Sequence, residues 1–146
     1  MTLLELIIAT AILLILSSAA LPNFRYKVVE QRESELRRRH LMEIRNAIDR
    51  YKDLADQGKV RVAAGTEGYP HDLETLVKGV NIGAGTQEKV RFLRRIPKDP
   101  MTGKTDWSLC AIQDEAACTR WGGNNVFDVH SRSQVTALDG SRYSDG

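Results

Sequence analysis

Positive charge is missing from the start of this chain: no Lys or Arg precedes Arg25. A cleaved secretory signal opens on basic residues, so Ser18-Ala19-Ala20 does not make a cleavage site by itself. Cysteine is scarce as well. Two cysteines exclude a disulfide-dense mini-domain and a four-cysteine zinc site. Histidine occurs three times, at His40, His71 and His130, and aromatics are 6% of the chain. There is no G-x-S-x-G, P-loop or dinucleotide-binding glycine pattern. No enzyme activity is expected, and no cofactor is required. Excess charge of one sign is lacking too. The balance of 21 basic and 19 acidic residues leaves +2, so no nucleic-acid partner is expected.

What the chain does have is an apolar start. From Leu3 to Leu21 only Glu5, Thr10, Ser17 and Ser18 are polar. The segment is apolar all round rather than on one stripe, so lipid or protein must cover every side. About 20 helical residues at ~1.5 Å each match a bilayer core of ~30 Å. A carboxylate inside a plain membrane anchor is costly and usually functional. Thr2-x-x-Glu5 fits a capping box, and the helix dipole favours Glu5 at that place. Once buried, Glu5 needs a positive partner. An α-amino group, its own or that of a neighbouring copy, is the nearest candidate.

Pro22 cannot donate to the helix ladder, and its ring crowds the Ser18 carbonyl. A kink or locally melted stretch is expected at Ser17–Pro22. Helical patterning then resumes. Ile44, Ala47, Ile48, Tyr51 and Ala55 recur at helix spacing and should face a core. Gly58 is the expected stop. Residues 25–53 hold nine basic and six acidic groups, the mark of a solvated face with i,i+4 pairs such as Glu33–Arg37. The sum is one helix over about residues 1–55, on the order of 80 Å long. A domain of this size cannot bury it, so its first half should protrude into membrane or other copies.

Residues 58–146 should form a small head. Tyr69-Pro70 opens a short helix over Asp72–Val77, which Gly79 ends. Asn81–Thr86 is expected to be loop. Val90, Phe92, Leu93 and Ile96 are core candidates among five basic residues from Lys89 to Lys98. Ile96–Gly103 is turn chemistry. Strands are expected near Thr105–Leu109 and Asn125–His130.

Thr2-Leu3-Leu4-Glu5-Leu6 followed by an apolar run to Pro22 resembles the mature N-terminus of type IV pilins and type II secretion pseudopilins. Met1 stands where that pattern has Phe. Ile-Pro-x-Asp-Pro at 96–100, Trp-Gly-Gly-Asn-Asn-Val-Phe-Asp-Val-x-Ser at 121–131 and Thr-Ala-Leu-Asp-Gly-x-x-Tyr-Ser-Asp at 136–145 resemble the major pseudopilin and short pilins.

The resemblance implies an α+β, pilin-like fold: one long N-terminal helix packed on a head with a short helix and a small antiparallel sheet. It divides the chain into a transmembrane and filament-core helix (1–24), its amphipathic continuation (25–57) and the head (58–146). It implies a structural subunit of a helical filament built from the inner membrane, with the head in the periplasm, serving type II secretion-like export. A minor pilin for adhesion or DNA handling and a plain anchored periplasmic domain are the alternatives. The implied partners are membrane lipid before assembly, an inner-membrane assembly platform, and a prepilin peptidase/methyltransferase that processes and methylates the N-terminus at Met1. Met1, Thr2, Glu5 and Pro22 are the assembly residues.

In that oxidising compartment Cys110 and Cys118 are expected to form a disulfide rather than remain two buried thiols. Their spacing excludes a Cys-x-x-Cys redox pair. Asp128 and Asp139 are candidate calcium ligands through the resemblance. Read from the residues alone, they cap turns.

Overall fold

A computed structural model of the chain describes residues 2–83, 85, 87–116, 118–134, 136, 140 and 142, except the side chains of 20–26, 29 and 32. Met1 and Asp139 thus lie outside the described residues. The protein is α+β, with elements in the order α1 (Leu3–Asp56), α2 (Leu73–Lys78), β1 (Val80–Asn81), β2 (Lys89–Val90), β3 (Ser108–Cys110) and β4 (Asp128–His130). It divides into two compact units, Met1–Leu36 and Arg37–Gly146.

The first unit is helical, and its start is apolar. Three hydroxyls of its apolar start bond within α1: Thr10 donates to the Ile7 carbonyl, Ser17 to Leu13 and Ser18 to Ile15, at 2.8–2.9 Å. In the single chain the backbone through Ser17–Pro22 is helical, so the melted stretch expected there is not present in this state. Proline removes one ladder bond, and the turns on both sides carry the helix through. The two serines bond back without opening it.

The second unit holds the core. Leu41, Ile44, Ile48, Tyr51 and Ala55 follow one another at three- and four-residue steps and are all buried. They pack with Leu73, Leu76, Phe92, Leu93, Trp107, Val126 and Val129. Tyr51 meets Phe92 edge to face, with centroids 5.5 Å apart, and burial pushes its phenol up from the ordinary value. The helix ends where Gly58 takes a φ of 71°.

Asp72 is not part of α2 but its cap, accepting the Thr75 N–H at 2.7 Å. At the other end the Leu76 carbonyl accepts the N–H groups of Phe92 and Leu93, so α2 and the following chain satisfy each other. Gly79 follows with a φ of 78°, and a Cβ there would stand 2.4 Å from the Val90 carbonyl oxygen.

Among the described residues the head has two antiparallel strand pairs where one small sheet was expected. The first, β1–β2, pairs Val80 with Val90 and Asn81 with Lys89. The loop assigned to Asn81–Thr86 therefore begins one residue too early, since Asn81 is strand. The second, β3–β4, pairs Ser108 with His130, Leu109 with Val129 and Cys110 with Asp128. Its strands are shorter than the sequence suggests. The Val126 N–H goes to the Pro70 carbonyl instead of a ladder.

Candidate functional site

Two places in the chain present unusual chemistry. The first is the start of α1. Thr2 acts as its cap: its Oγ1 accepts the Glu5 N–H at 3.4 Å, which sets Glu5 in the first turn. Around it stand ten large apolar side chains, Leu3, Leu4, Leu6–Ile8 and Ile12–Leu16, each 52–78% exposed. Ile12–Leu16 are five consecutive positions. At 100° per residue they cover every direction around the helix, so no one-sided packing hides them. Among the described residues no helix is long and apolar enough to cross a membrane. The side chains of 20–26, the first two of which complete the run in the sequence, lie outside the described set.

The second place is a groove of about 990 Å³ on the head, lined among others by Arg45, Cys110, Trp121, Phe127, His130 and Arg142. Its floor is built by alternation along β3 and β4. Leu109 and Val129 turn to the core. Ser108, Cys110, Asp128 and His130 therefore share the opposite face. Cys110 is joined to Cys118 by a disulfide with Cα atoms 5.9 Å apart, and neither cysteine is free. His130 Nδ1 lies 3.5 Å from Cys110 Sγ.

The loop between the cysteines is held by Asp114, which sequence reading did not single out, and by Asn125 of the 121–131 motif. Asp114 accepts the N–H groups of Ala111 and Gly122 at 2.8 and 3.0 Å. Asn125, fully buried, accepts the Ile112 N–H at 3.0 Å and donates to Gln113 Oε1 at 2.9 Å. The Trp121 indole N–H donates to the Asn125 carbonyl at 2.6 Å. Trp121, Asn125 and Val126 of the 121–131 motif are thus tied into the scaffold.

The Ile-Pro-Lys-Asp-Pro motif is tied to the same scaffold. Asp99 is fully buried. It accepts the Ser131 hydroxyl and the Met101 N–H. Trp107 donates its indole N–H to the Pro97 carbonyl at 2.8 Å. The signal for Asp99 was present in the sequence as an Asp between two prolines. Its partner, 32 positions away, was not legible.

Asp128, the candidate calcium ligand, faces a cation of the protein itself. Arg45 Nε donates to Oδ1 at 2.7 Å and Nη2 to Oδ2 at 3.3 Å. Nη2 also reaches the Val129 carbonyl at 3.4 Å. This forked pair fastens β4 to α1. With side chains 34% and 38% exposed, it contributes on the order of 1 kcal/mol. A metal ion at Asp128 has to compete with that guanidinium.

Two histidines serve the fold. His40 Nδ1 meets the Lys98 carbonyl at 2.8 Å and His71 Nδ1 the Asn124 carbonyl at 3.4 Å. A carbonyl only accepts, so in both rings Nδ1 carries the hydrogen. The basic residues Lys89, Arg91, Arg94, Arg95 and Lys98 are all exposed, as a solvated face requires.

Reduction of the disulfide is expected to add two protons to the mass and to lower head stability by about 2.5 kcal/mol, the chain-entropy value for a nine-residue loop. Thermal unfolding should then shift by roughly 10–20 °C, whereas a chelator added to the oxidised protein should shift it little. A large fall with chelator, restored by calcium but not by magnesium, would give the terminal loop the stabilising role instead.

No family model, no curated protein and no solved structure matches this chain.

Proposed function

We propose that this protein is a structural subunit of a helical filament, a pseudopilin or short pilin with a pilin-like fold, drawn from the inner membrane and serving type II secretion-like export. The observation that supports it most is the set of ten exposed large hydrophobic side chains around the start of α1. Each added copy can cover that surface with another copy's helix. At ~25 cal/mol per Å² such burial exceeds what a polar contact between heads supplies. Lipid covers the same surface before assembly. Glu5 pairs with the α-amino group of a neighbouring first residue, which sets the register along the filament. Pro22 and the paired serines let the helix loosen there as copies pack. Filament growth draws its energy from the assembly platform, and the prepilin peptidase/methyltransferase prepares Met1. Calcium is not required in this reading.

Deletion of residues 1–24 tests it. The truncated protein is expected to stay in solution without detergent, to sediment as a monomer and to give no filaments in the electron microscope. Polymerisation of the truncated protein would move the interface to the head and sink the assignment.

A further inference from the structure

We propose that Cys110, Cys118 and His130 form a zinc-binding site when the Cys110–Cys118 bond is reduced. The inference does not depend on the filament reading.

The ligand atoms of these three residues lie within 4.8 Å of one another, with both cysteines buried and His130 half-buried. Two thiolates and an imidazole are ligands that zinc prefers. A tetrahedral ion at ~2.3 Å from sulfur and ~2.0–2.1 Å from nitrogen holds S and N roughly 3.5–3.6 Å apart. Cys110 Sγ and His130 Nδ1 are already 3.5 Å apart.

The strand register explains why. His130 stands opposite Ser108, and Cys110 is two residues further along β3 on the same face. Opening the S–S bond frees the two sulfurs to separate to the ~3.8 Å edge of a thiolate pair on zinc. Cys118 sits on a loop, not on a strand. The groove of about 990 Å³ leaves room for water as the fourth ligand. The charge also balances, since two thiolates neutralise a divalent ion.

The two states exclude each other. A thiol reductant supplies two electrons and two protons, leaves as its own disulfide, and yields Cys110 and Cys118 as thiols. Zinc then displaces both thiol protons to solvent. Metal and disulfide thus compete for the same sulfurs, and a bound ion protects the thiols from wrong oxidation before the bond closes.

The test uses the full chain in detergent, reduced with a phosphine under anaerobic conditions. Zinc is added, the excess is removed by gel filtration, and bound metal is measured. One equivalent per chain is expected on the reduced protein and less than a tenth of that on the oxidised protein. Cys118→Ser should abolish retention, and His130→Ala should weaken affinity at least tenfold. Cobalt in place of zinc should give the absorption of a tetrahedral thiolate site. Reduced protein in urea is the control for binding by an unfolded chain, and it should bind at least tenfold more weakly. Equal zinc on reduced and oxidised protein, unchanged affinity of His130→Ala, or equal binding in urea would each overturn the proposal.

Discussion

Glu5→Ala is expected to leave membrane insertion intact and to abolish filaments. In the isolated chain Glu5 sits one turn into α1, beside a Thr2 cap and within a wholly apolar stretch. Alanine there makes the segment more apolar, so partition into lipid does not suffer. Assembly is different. In the proposed filament, packed helices would exclude water from the first turns, and in the variant a neighbouring α-amino group would have no carboxylate. Removing one partner of a buried ion pair costs about 3–5 kcal/mol. Even the lower figure is more than a hundredfold in association at each contact, repeated at every subunit. Glu5→Gln separates charge from shape: it keeps the volume and loses the charge, and it should fail as alanine does. The readouts are membrane fractionation and a filament count in the electron microscope. Normal filaments from either variant would show that this charge does not direct assembly.

Asp99→Ala is expected to be the most damaging single substitution in the head. Its carboxyl is fully buried and receives both the Ser131 hydroxyl and the Met101 N–H. Alanine leaves the buried Ser131 hydroxyl without its acceptor, at ~1–3 kcal/mol, and takes the acceptor of the half-buried Met101 N–H as well. The turn they hold also carries Pro97, whose carbonyl receives the Trp107 indole at the core. A loss of about 3 kcal/mol should lower the melting temperature by roughly 12–24 °C. Asp99→Asn keeps one oxygen acceptor and should recover part of the loss. Ser131→Ala in the Asp99→Ala background should cost less than it does alone, because the hydroxyl has already lost Asp99 and holds only the Ser133 N–H. Full additivity of the two substitutions would show that the pair is not coupled.

Local chemistry was legible in the amino-acid sequence by itself. The apolar run is contiguous, so its need for a covering surface follows without any fold. The heptad-like steps Ile44, Ile48, Tyr51 and Ala55 lie on one helix, and periodicity is enough to assign them inward. Gly58 and Gly79 mark helix ends because a positive φ is a property of one residue. Expectations failed where one local signal was asked to predict the outcome of several. Pro22 weakens one bond in a helix whose remaining bonds hold, so the backbone of the single chain stays helical. Asn81 looks like loop until Lys89 pairs with it.

Tertiary structure alone decided which side chains meet. Asp128 was a turn cap or a metal ligand until Arg45, 83 positions away, came to its carboxylate. Asp99 and Ser131 sit in separate motifs, and only folding shows one hydrogen bond between them. His130 comes beside Cys110 because β3 and β4 pair in one register. A slip of one residue would turn it to the core. Such contacts cost chain entropy before they form and leave no periodic trace in the sequence. The helix and its apolar surface are therefore written locally, and the groove on the head is written only by the pairing of distant strands.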